Sequence, residues 1–134
     1  MPSFPTFVRP LLFCTMLALG ANAALAVGTV NVKQSAALQS QGVLLIDVRT
    51  PGEFAQGHAP GATLIPLDQL PQRLGELRRV QDRPIALICR SGNRSGQAQV
   101  ILEKAGFTKA VNVEGGMKAW AKAGLPVVTG APAR

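Results

Sequence analysis

The sequence predicts an α/β domain with a mainly parallel central sheet and helices on both faces. The main evidence is two short apolar runs, residues 43–46 and 84–88, which are followed directly by Asp47 and Cys89. Apolar runs of this length, without polar alternation, are typical of strands buried on both faces. Segments with helical spacing separate these runs from weaker strand candidates. The resulting alternation of strands and helices favours a parallel sheet.

The other predicted elements follow in chain order. Further strands are predicted at 28–32, 63–66 and 110–113, and helices at 34–41, 67–79, 94–105 and 117–123. The helix at 94–105 has the clearest pattern, because its apolar residues recur at intervals of three and four and Gly106 follows as a stop. We find no repeat or linker, and we expect one domain over 24–134, with a core from about 30 to 127 and a frayed tail from Thr129.

The N-terminal segment has the three-part layout of a secretory signal peptide. Residues 1–10 carry one charge, Arg9, an apolar run of eleven residues covers 11–21, and two small-x-small triplets follow. We predict cleavage after residue 23, with Val27 as the alternative mature start. An uncleaved anchor is disfavoured, because the apolar segment has only 17 residues even when it is extended to include Val27, short of the roughly 20 that span a membrane. We therefore expect a periplasmic or secreted protein with no membrane span after cleavage.

Composition narrows the possible chemistry. The 134 residues include 14 Lys and Arg against 7 Asp and Glu, a net charge of +7, with one histidine, two cysteines and 4% aromatic residues. A disulfide scaffold, a Cys/His zinc cluster and an aromatic platform for single-stranded nucleic acid are nearly excluded. Cleavage would remove Arg9 and Cys14, which lowers the charge from +7 to +6 and leaves Cys89 as the only thiol. The positive charge favours a small anionic ligand, and we predict no metal, no cofactor and no nucleic acid partner.

The segment 89–95, Cys-Arg-Ser-Gly-Asn-Arg-Ser, is the predicted reactive loop. It follows a buried strand and opens the 94–105 helix, which places it at the carboxyl edge of the sheet, where open α/β folds bind ligands. Gly92 permits a positive φ that turns backbone N–H groups toward the Cys89 sulfur, and the helix N-terminus adds more. Such a cradle lowers a cysteine pKa from about 8.5 toward ~3.5–7.5. An inert, buried cysteine is disfavoured, because six polar or glycine residues follow it.

The lone histidine, His58, offers an alternative way to activate the thiol. A Cys–His dyad would use it as a general base. Pro60 and Gly57 near it indicate a tight loop, however, and a lone histidine in such a loop is more often structural. We therefore do not assign His58 a catalytic role.

Several spaced motifs together resemble a single rhodanese domain from about residue 30 to 127. They are found at 47–49, 53–54, 57–58, 60–62, 89–95, 115–116 and Trp120. The resemblance implies that Cys89 takes the outer sulfur of an anionic donor such as thiosulfate, becomes a persulfide, and passes the sulfur to cyanide or a thiol, including a protein thiol.

The resemblance also implies roles for the residues around Cys89. Substrate binding falls to Arg90, Ser91, Gly92, Asn93 and Arg94, through backbone N–H groups and the two guanidinium groups. Asp47, Arg49 and Ser95 are expected to support the loop, with Arg49 and Glu53 forming an ion pair, and Trp120 is expected to be purely structural.

Two other functions stay open at this point. Phosphatases and arsenate reductases that use a cysteine and an arginine need five residues between them, whereas four separate Cys89 from Arg94, so this alternative is disfavoured. A noncatalytic sulfur carrier or binding module that docks on a larger periplasmic partner would carry the same loop, and the sequence does not separate it from an enzyme.

Overall fold

The structure is a computed structural model that describes residues 28–132. The predicted signal peptide and both predicted cleavage positions lie outside the described residues. The five strands are Thr29–Val30 (β1), Leu44–Asp47 (β2), Thr63–Leu64 (β3), Ile85–Ile88 (β4) and Ala110–Val113 (β5). The α-helices are Val32–Ser40 (α1), Pro51–Gln56 (α2), Leu70–Arg73 (α3), Asn93–Lys104 (α4) and Gly116–Lys122 (α5), and a 3₁₀ helix, Leu74–Val80, follows α3.

The five strands form one sheet in the order β1-β5-β4-β2-β3, and every pairing is parallel. The prediction of a parallel α/β sheet is therefore confirmed. Strand β4 lies at the centre, with Asp47 of β2 in register with Ile88. The amide of Val48 then donates to the Ile88 carbonyl over 3.0 Å. This register places Cys89, directly after β4, next to the chain that leaves β2.

The side chains of β4 alternate between two apolar cores, one on each face of the sheet. Ile85, Leu87 and Cys89 belong to the core that contains residues of α3, the 3₁₀ helix and α4. Ala86 and Ile88 belong to the core that contains residues of α1 and α5. Helices therefore cover both faces, as predicted, and the residues of β4 are at most 1% exposed. This double coverage explains why the β4 sequence is uniformly apolar.

Two stretches differ from the predicted secondary structure. The helix predicted at 67–79 is wrong in its extent, because only 70–73 is α-helical and the chain then tightens into the 3₁₀ helix, where Gly75 disfavours a continuous α-helix. Helix α2 was not predicted. Its start is a capping box in which Thr50 Oγ1 accepts from the amide of Glu53 over 3.2 Å and Glu53 accepts in return from the amide of Thr50.

The C-terminal segment 125–132 returns across α2 instead of fraying. His58 and Val128 form an antiparallel bridge with two backbone hydrogen bonds of 2.9 Å. The amide of Gly130 donates to the Ala55 carbonyl over 2.9 Å, and the Trp120 indole donates to the Pro126 carbonyl over 2.8 Å. Of these bonds only that of Gly130 lies in the tail predicted to fray from residue 129, so the prediction is wrong at Gly130. No helix within 28–132 has the length and apolarity needed to cross a membrane.

Candidate active site

The reactive loop joins the end of β4 to the start of α4. Gly92 caps α4 with φ +106°, in the left-handed region that favours glycine. This conformation turns the Gly92 amide back toward the cysteine, to which it donates over 3.1 Å at Sγ. The loop therefore has the predicted geometry, in which a peptide N–H group faces the sulfur.

Cys89 is buried but its sulfur has polar neighbours. The residue is 1% exposed, and burial by itself raises the pKa of the thiol. The Ser95 hydroxyl and the amides of Ser95, Gly92 and Ser91 act in the opposite direction, and together they bring the pKa of Cys89 below its ordinary value of 9.0. A cysteine sealed in purely apolar surroundings would have a raised pKa. Burial here is therefore combined with stabilisation of the thiolate.

Ser95, the last residue of the loop, and Asn112 of β5 form a hydrogen-bonded pair beside the Cys89 sulfur. Ser95 Oγ lies 3.3 Å from Cys89 Sγ and donates to Asn112 Oδ1 over 2.6 Å. Asn112 Nδ2 donates to the carbonyl oxygen of Gly92 over 3.1 Å. Sequence reasoning missed Asn112, although one polar residue within the otherwise apolar strand β5 was a usable signal.

The start of α5 holds the first part of the loop from the other direction. The amide of Met117 donates to the Cys89 carbonyl over 2.8 Å, and that of Lys118 donates to the Arg90 carbonyl over 3.0 Å. Gly116 makes this approach possible, because its φ is +56° and a Cβ there would lie 2.6 Å from the Arg90 carbonyl oxygen. The turn at 115–116 is thus part of the site's support.

The predicted ion pair between Arg49 and Glu53 is wrong. Arg49 instead pairs with Asp47, with Nη2 and Oδ2 2.7 Å apart and both side chains buried. Residues two apart on an extended chain point to the same side, which brings these two together. Arg49 Nη2 also donates to the carbonyl of Gly57 over 2.7 Å. The buried pair therefore braces the turn after α2.

Glu53 pairs with Arg94 of the reactive loop. The two carboxylate oxygens accept from the two guanidinium nitrogens over 2.7 and 2.8 Å. The bonds from Arg94 lower the pKa of Glu53 to about 2 and raise that of Arg94. The charge of Arg94 is therefore balanced by a carboxylate, whereas Arg90 is exposed and its side chain has no hydrogen-bond or ion-pair partner within 28–132. Of the two arginines predicted to attract an anion, Arg90 is the one free to do so.

A cavity of about 330 Å³ opens beside the loop. Its lining includes Arg49, Glu53 and Gly57 on the α2 side and Arg90, Met117 and Lys118 on the other. Two exposed cationic side chains, Arg90 and Lys118, thus border this cavity, while Ser91 and Asn93 are exposed on the loop itself. Three of the lining side chains are cationic and one, that of Glu53, is anionic.

His58 contributes to a different part of the molecule. Its Nδ1 lies 2.7 Å from the Phe54 carbonyl oxygen, and its ring stacks on that of Phe54 with centroids 3.6 Å apart. It lines a separate cavity with Pro51 and Thr63. The structure therefore gives His58 structural contacts. Within the described residues, no group of three or more His, Cys, Asp or Glu side chains is arranged to hold a metal ion.

An α/β domain with a cysteine-bearing loop at the carboxyl edge of a parallel sheet is thus established by the fold and the loop geometry. Residues 31–123 match the family of the Rhodanese-like domain, and the chain belongs to this family. A "Sulfurtransferase" of Allochromatium vinosum is 44% identical over 89 residues, which cover 66% of this chain and 81% of that protein. The "Thiosulfate sulfurtransferase 16, chloroplastic" of Arabidopsis thaliana is 41% identical over 96 residues, covering 60% and 76%.

Solved structures agree with this assignment. The rhodanese-related protein of Thermoplasma volcanium superposes with a TM-score of 0.66 at 32% identity, over 75% of this chain and 96% of that one. Other relatives are longer: the chain spans 59% of a Bacillus subtilis protein and 49% of a Synechocystis protein. The named relatives support sulfur transfer as the general activity.

Proposed function

We propose that the protein is a sulfurtransferase that moves a sulfane sulfur from an anionic donor such as thiosulfate, through a persulfide on Cys89, to cyanide or a thiol acceptor. The observation that carries this proposal is the Gly92 amide bonded to a buried Cys89 sulfur, with a lowered pKa at that sulfur. A relative named as a thiosulfate sulfurtransferase supports the choice of donor.

The first half-reaction loads the cysteine. The Cys89 thiolate attacks the outer sulfur of thiosulfate, a new S–S bond forms, and the original S–S bond breaks, so that sulfite leaves with the electron pair. This attack brings two anions together, and repulsion would slow it in water. Peptide N–H groups around the sulfur and the free cation of Arg90 oppose that repulsion and then stabilise the persulfide anion.

The second half-reaction removes the outer sulfur from the Cys89 persulfide. Cyanide attacks the outer sulfur of the persulfide, thiocyanate leaves, and the electron pair of the broken S–S bond returns to Cys89 as thiolate. A thiol acceptor would follow the same path and become a persulfide itself. In the first half the attacking group is the Cys89 thiolate, and the hydrogen bonds that lower the pKa of Cys89 favour this form. In the second half the attacking group is the cyanide anion or the thiolate form of the acceptor.

The test is the formation of thiocyanate from thiosulfate and cyanide. We expect turnover by the full-length protein and none after Cys89→Ser, whereas Cys14→Ser is the matched control and should retain the rate. Thiocyanate formation by Cys89→Ser would refute the proposal. A parallel assay with an aryl phosphate should release no phosphate, because four residues separate Cys89 from Arg94 and the alternative phosphatase needs five.

A noncatalytic sulfur carrier is the second candidate function. A Bacillus subtilis protein named as a putative sulfur carrier is 40% identical over 76 residues, although these cover only 40% of it. A carrier would accept one sulfur from thiosulfate and release it to a protein thiol without repeated turnover on cyanide. Single-turnover loading combined with a negligible steady-state rate would favour this candidate over the enzyme.

We also propose that the protein acts outside the cytoplasm, on the basis of the N-terminal sequence pattern. The test is fractionation of cells that produce the full chain, followed by N-terminal sequencing. A product in the exported fraction that starts at Ala24 or Val27 supports this proposal, and an intact N-terminus in the cytoplasm contradicts it.

A further inference from the structure

The Ser95 hydroxyl lies between two groups that compete for its proton. Ser95 Oγ is 3.3 Å from Cys89 Sγ and 2.6 Å from Asn112 Oδ1. A hydroxyl has one proton to donate and lone pairs that accept. Ser95 can therefore donate to the thiolate sulfur or to the amide oxygen, but not to both at once.

The amide of Asn112 is oriented by a second contact. Its Nδ2 donates to the Gly92 carbonyl oxygen over 3.1 Å, and that oxygen can only accept. The nitrogen must therefore face Gly92, which leaves Oδ1 facing Ser95. An amide oxygen can only accept, so the 2.6 Å between Ser95 Oγ and Asn112 Oδ1 requires the Ser95 proton to lie between these two oxygens. A lone pair of Ser95 Oγ faces the sulfur, where it can accept the S–H of the thiol.

The three states of Cys89 use this hydroxyl differently. As a thiol, Cys89 donates to Ser95 and every group is satisfied. As a thiolate, Cys89 is stabilised by Ser95 only when the hydroxyl proton turns to the sulfur, which leaves the half-buried Oδ1 of Asn112 without a donor. As a persulfide, the negative charge has moved to the outer sulfur, so the Ser95 proton can stay with Asn112.

We propose that Asn112 is a positioning residue that competes for the Ser95 proton and thereby disfavours the thiolate of Cys89 relative to its persulfide. The effect on sulfur loading rests on the proposed function, whereas the effect on the thiol does not. Asn112 would thus help the site to accept a sulfur atom, although it does not touch the substrate.

Charged groups around the sulfur come from every neighbouring element and must be held constant in a test. They are Asp47 at the end of β2, Arg49 after it, Glu53 of α2, Arg90 and Arg94 at the loop, and Lys118 of α5. The substitutions proposed below change none of them. Differences between the variants therefore report on neutral hydrogen bonding at the sulfur.

The experiment is a double-variant cycle in the full chain carrying Cys14→Ser, which leaves Cys89 as its only thiol. The pH dependence of alkylation by iodoacetamide gives the Cys89 pKa for the parent, Asn112→Leu, Ser95→Ala and the double variant. In the Ser95→Ala background, Asn112→Leu reports only the lost contact to Gly92. When Ser95 is present, we expect Asn112→Leu to lower the Cys89 pKa by about one unit more than it does in the Ser95→Ala background. No difference, or a higher pKa, would overturn the proposal.

A second measurement needs no change at Asn112. The S–H stretching band of the reduced thiol, observed by Raman spectroscopy, should lie at lower frequency in the parent than in Ser95→Ala, because a donated S–H bond is weakened. If Ser95 instead donates to the thiol sulfur, Ser95→Ala will leave the band in place, and the assigned direction is wrong.

The effect on loading is measured separately. The ratio of persulfide to thiolate is measured at a fixed ratio of thiosulfate to sulfite and at a pH where the thiolate predominates. This ratio should fall about tenfold in Asn112→Leu, after correction for the effect of Asn112→Leu on the ratio in the Ser95→Ala background. An unchanged ratio would overturn the link to loading. Absence of any persulfide in the parent would contradict the proposed function, while the alkylation cycle would still decide the role of Asn112.

Discussion

Replacing Glu53 by Gln tests whether the ion pair between Glu53 of α2 and Arg94 of the reactive loop stabilises the fold. Glu53 accepts two hydrogen bonds of 2.7 and 2.8 Å from Arg94, and Gln keeps the shape but loses the negative charge. Thr50 and Arg94 are unchanged in the variant. Any loss of stability therefore measures the negative charge of Glu53, which serves both the pair with Arg94 and the capping box with Thr50.

The magnitude follows from the pKa of Glu53, which falls from 4.5 to about 2 chiefly because of the bonds from Arg94, with further lowering by the hydrogen bonds from Thr50. A shift of that size corresponds to at most about 3.4 kcal/mol. The side chains of Arg94 and Glu53 are 33% and 31% exposed, so solvent screening reduces the expected loss to about 1–2 kcal/mol. For a domain of this size the midpoint of thermal unfolding should fall by about 5–10 °C.

The assay is thermal or urea unfolding of parent and variant across pH. Because the folded-state pKa is depressed, the contribution of Glu53 is complete above the unfolded value of 4.5 and is lost as pH falls toward about 2. The difference between parent and variant should thus be largest near neutrality and less than half of that at about pH 3. Glu76→Gln, in the more exposed pair with Arg73, is the matched control and should reduce the stability of the protein by less than Glu53→Gln does. Equal stability of Glu53→Gln and parent at neutral pH, or a difference that does not shrink with acid, would refute the reasoning.

Three further outcomes are expected from the loop geometry. Gly116→Ala should destabilise the protein by about 1–3 kcal/mol and slow sulfur transfer, because the new Cβ would meet the backbone of the loop. Gly124 has a similar φ but open space around it, so Gly124→Ala should leave the transfer rate unchanged. Arg90→Ala should raise the KM for thiosulfate with less effect on kcat, and added salt should reduce the difference in KM between variant and parent. Arg83→Ala should change neither the KM nor its dependence on salt. The alkylation rate of Cys89 should rise with pH to a midpoint below the ordinary value of 9.0, and a midpoint above it would contradict the stabilised thiolate.

Strong local patterns made most of the fold predictable. The apolar run that became β4 and the apolar stripe of α4 were sufficient to place the reactive loop between them, because each pattern repeats within a few residues. Helix α2 has only six residues and no apolar period, and its signals were the capping box and the proline at its first position. The 3₁₀ helix was mistaken for α-helix, because the two differ in hydrogen bonding and not in composition.

Partners that meet across the sheet were harder to predict. Sequence proximity pairs Glu53 with Arg49, but its actual partner Arg94 is 41 residues away and approaches only when α2 packs against the loop. Asn112 likewise reaches Ser95 because β5 lies beside β4. Nearness along the chain favours local pairs, whereas the sheet order decides which distant side chains meet.

The mass of the protein after exposure to thiosulfate tests the central claim most directly. The full chain carrying Cys14→Ser is reduced, incubated with thiosulfate, freed of excess reagent and analysed intact and as peptides. We predict a gain of one sulfur atom on the peptide that contains Cys89, its loss on addition of cyanide, and no gain in the variant that also carries Cys89→Ser. An unchanged mass, or a sulfur atom retained when Cys89 is absent, would contradict it.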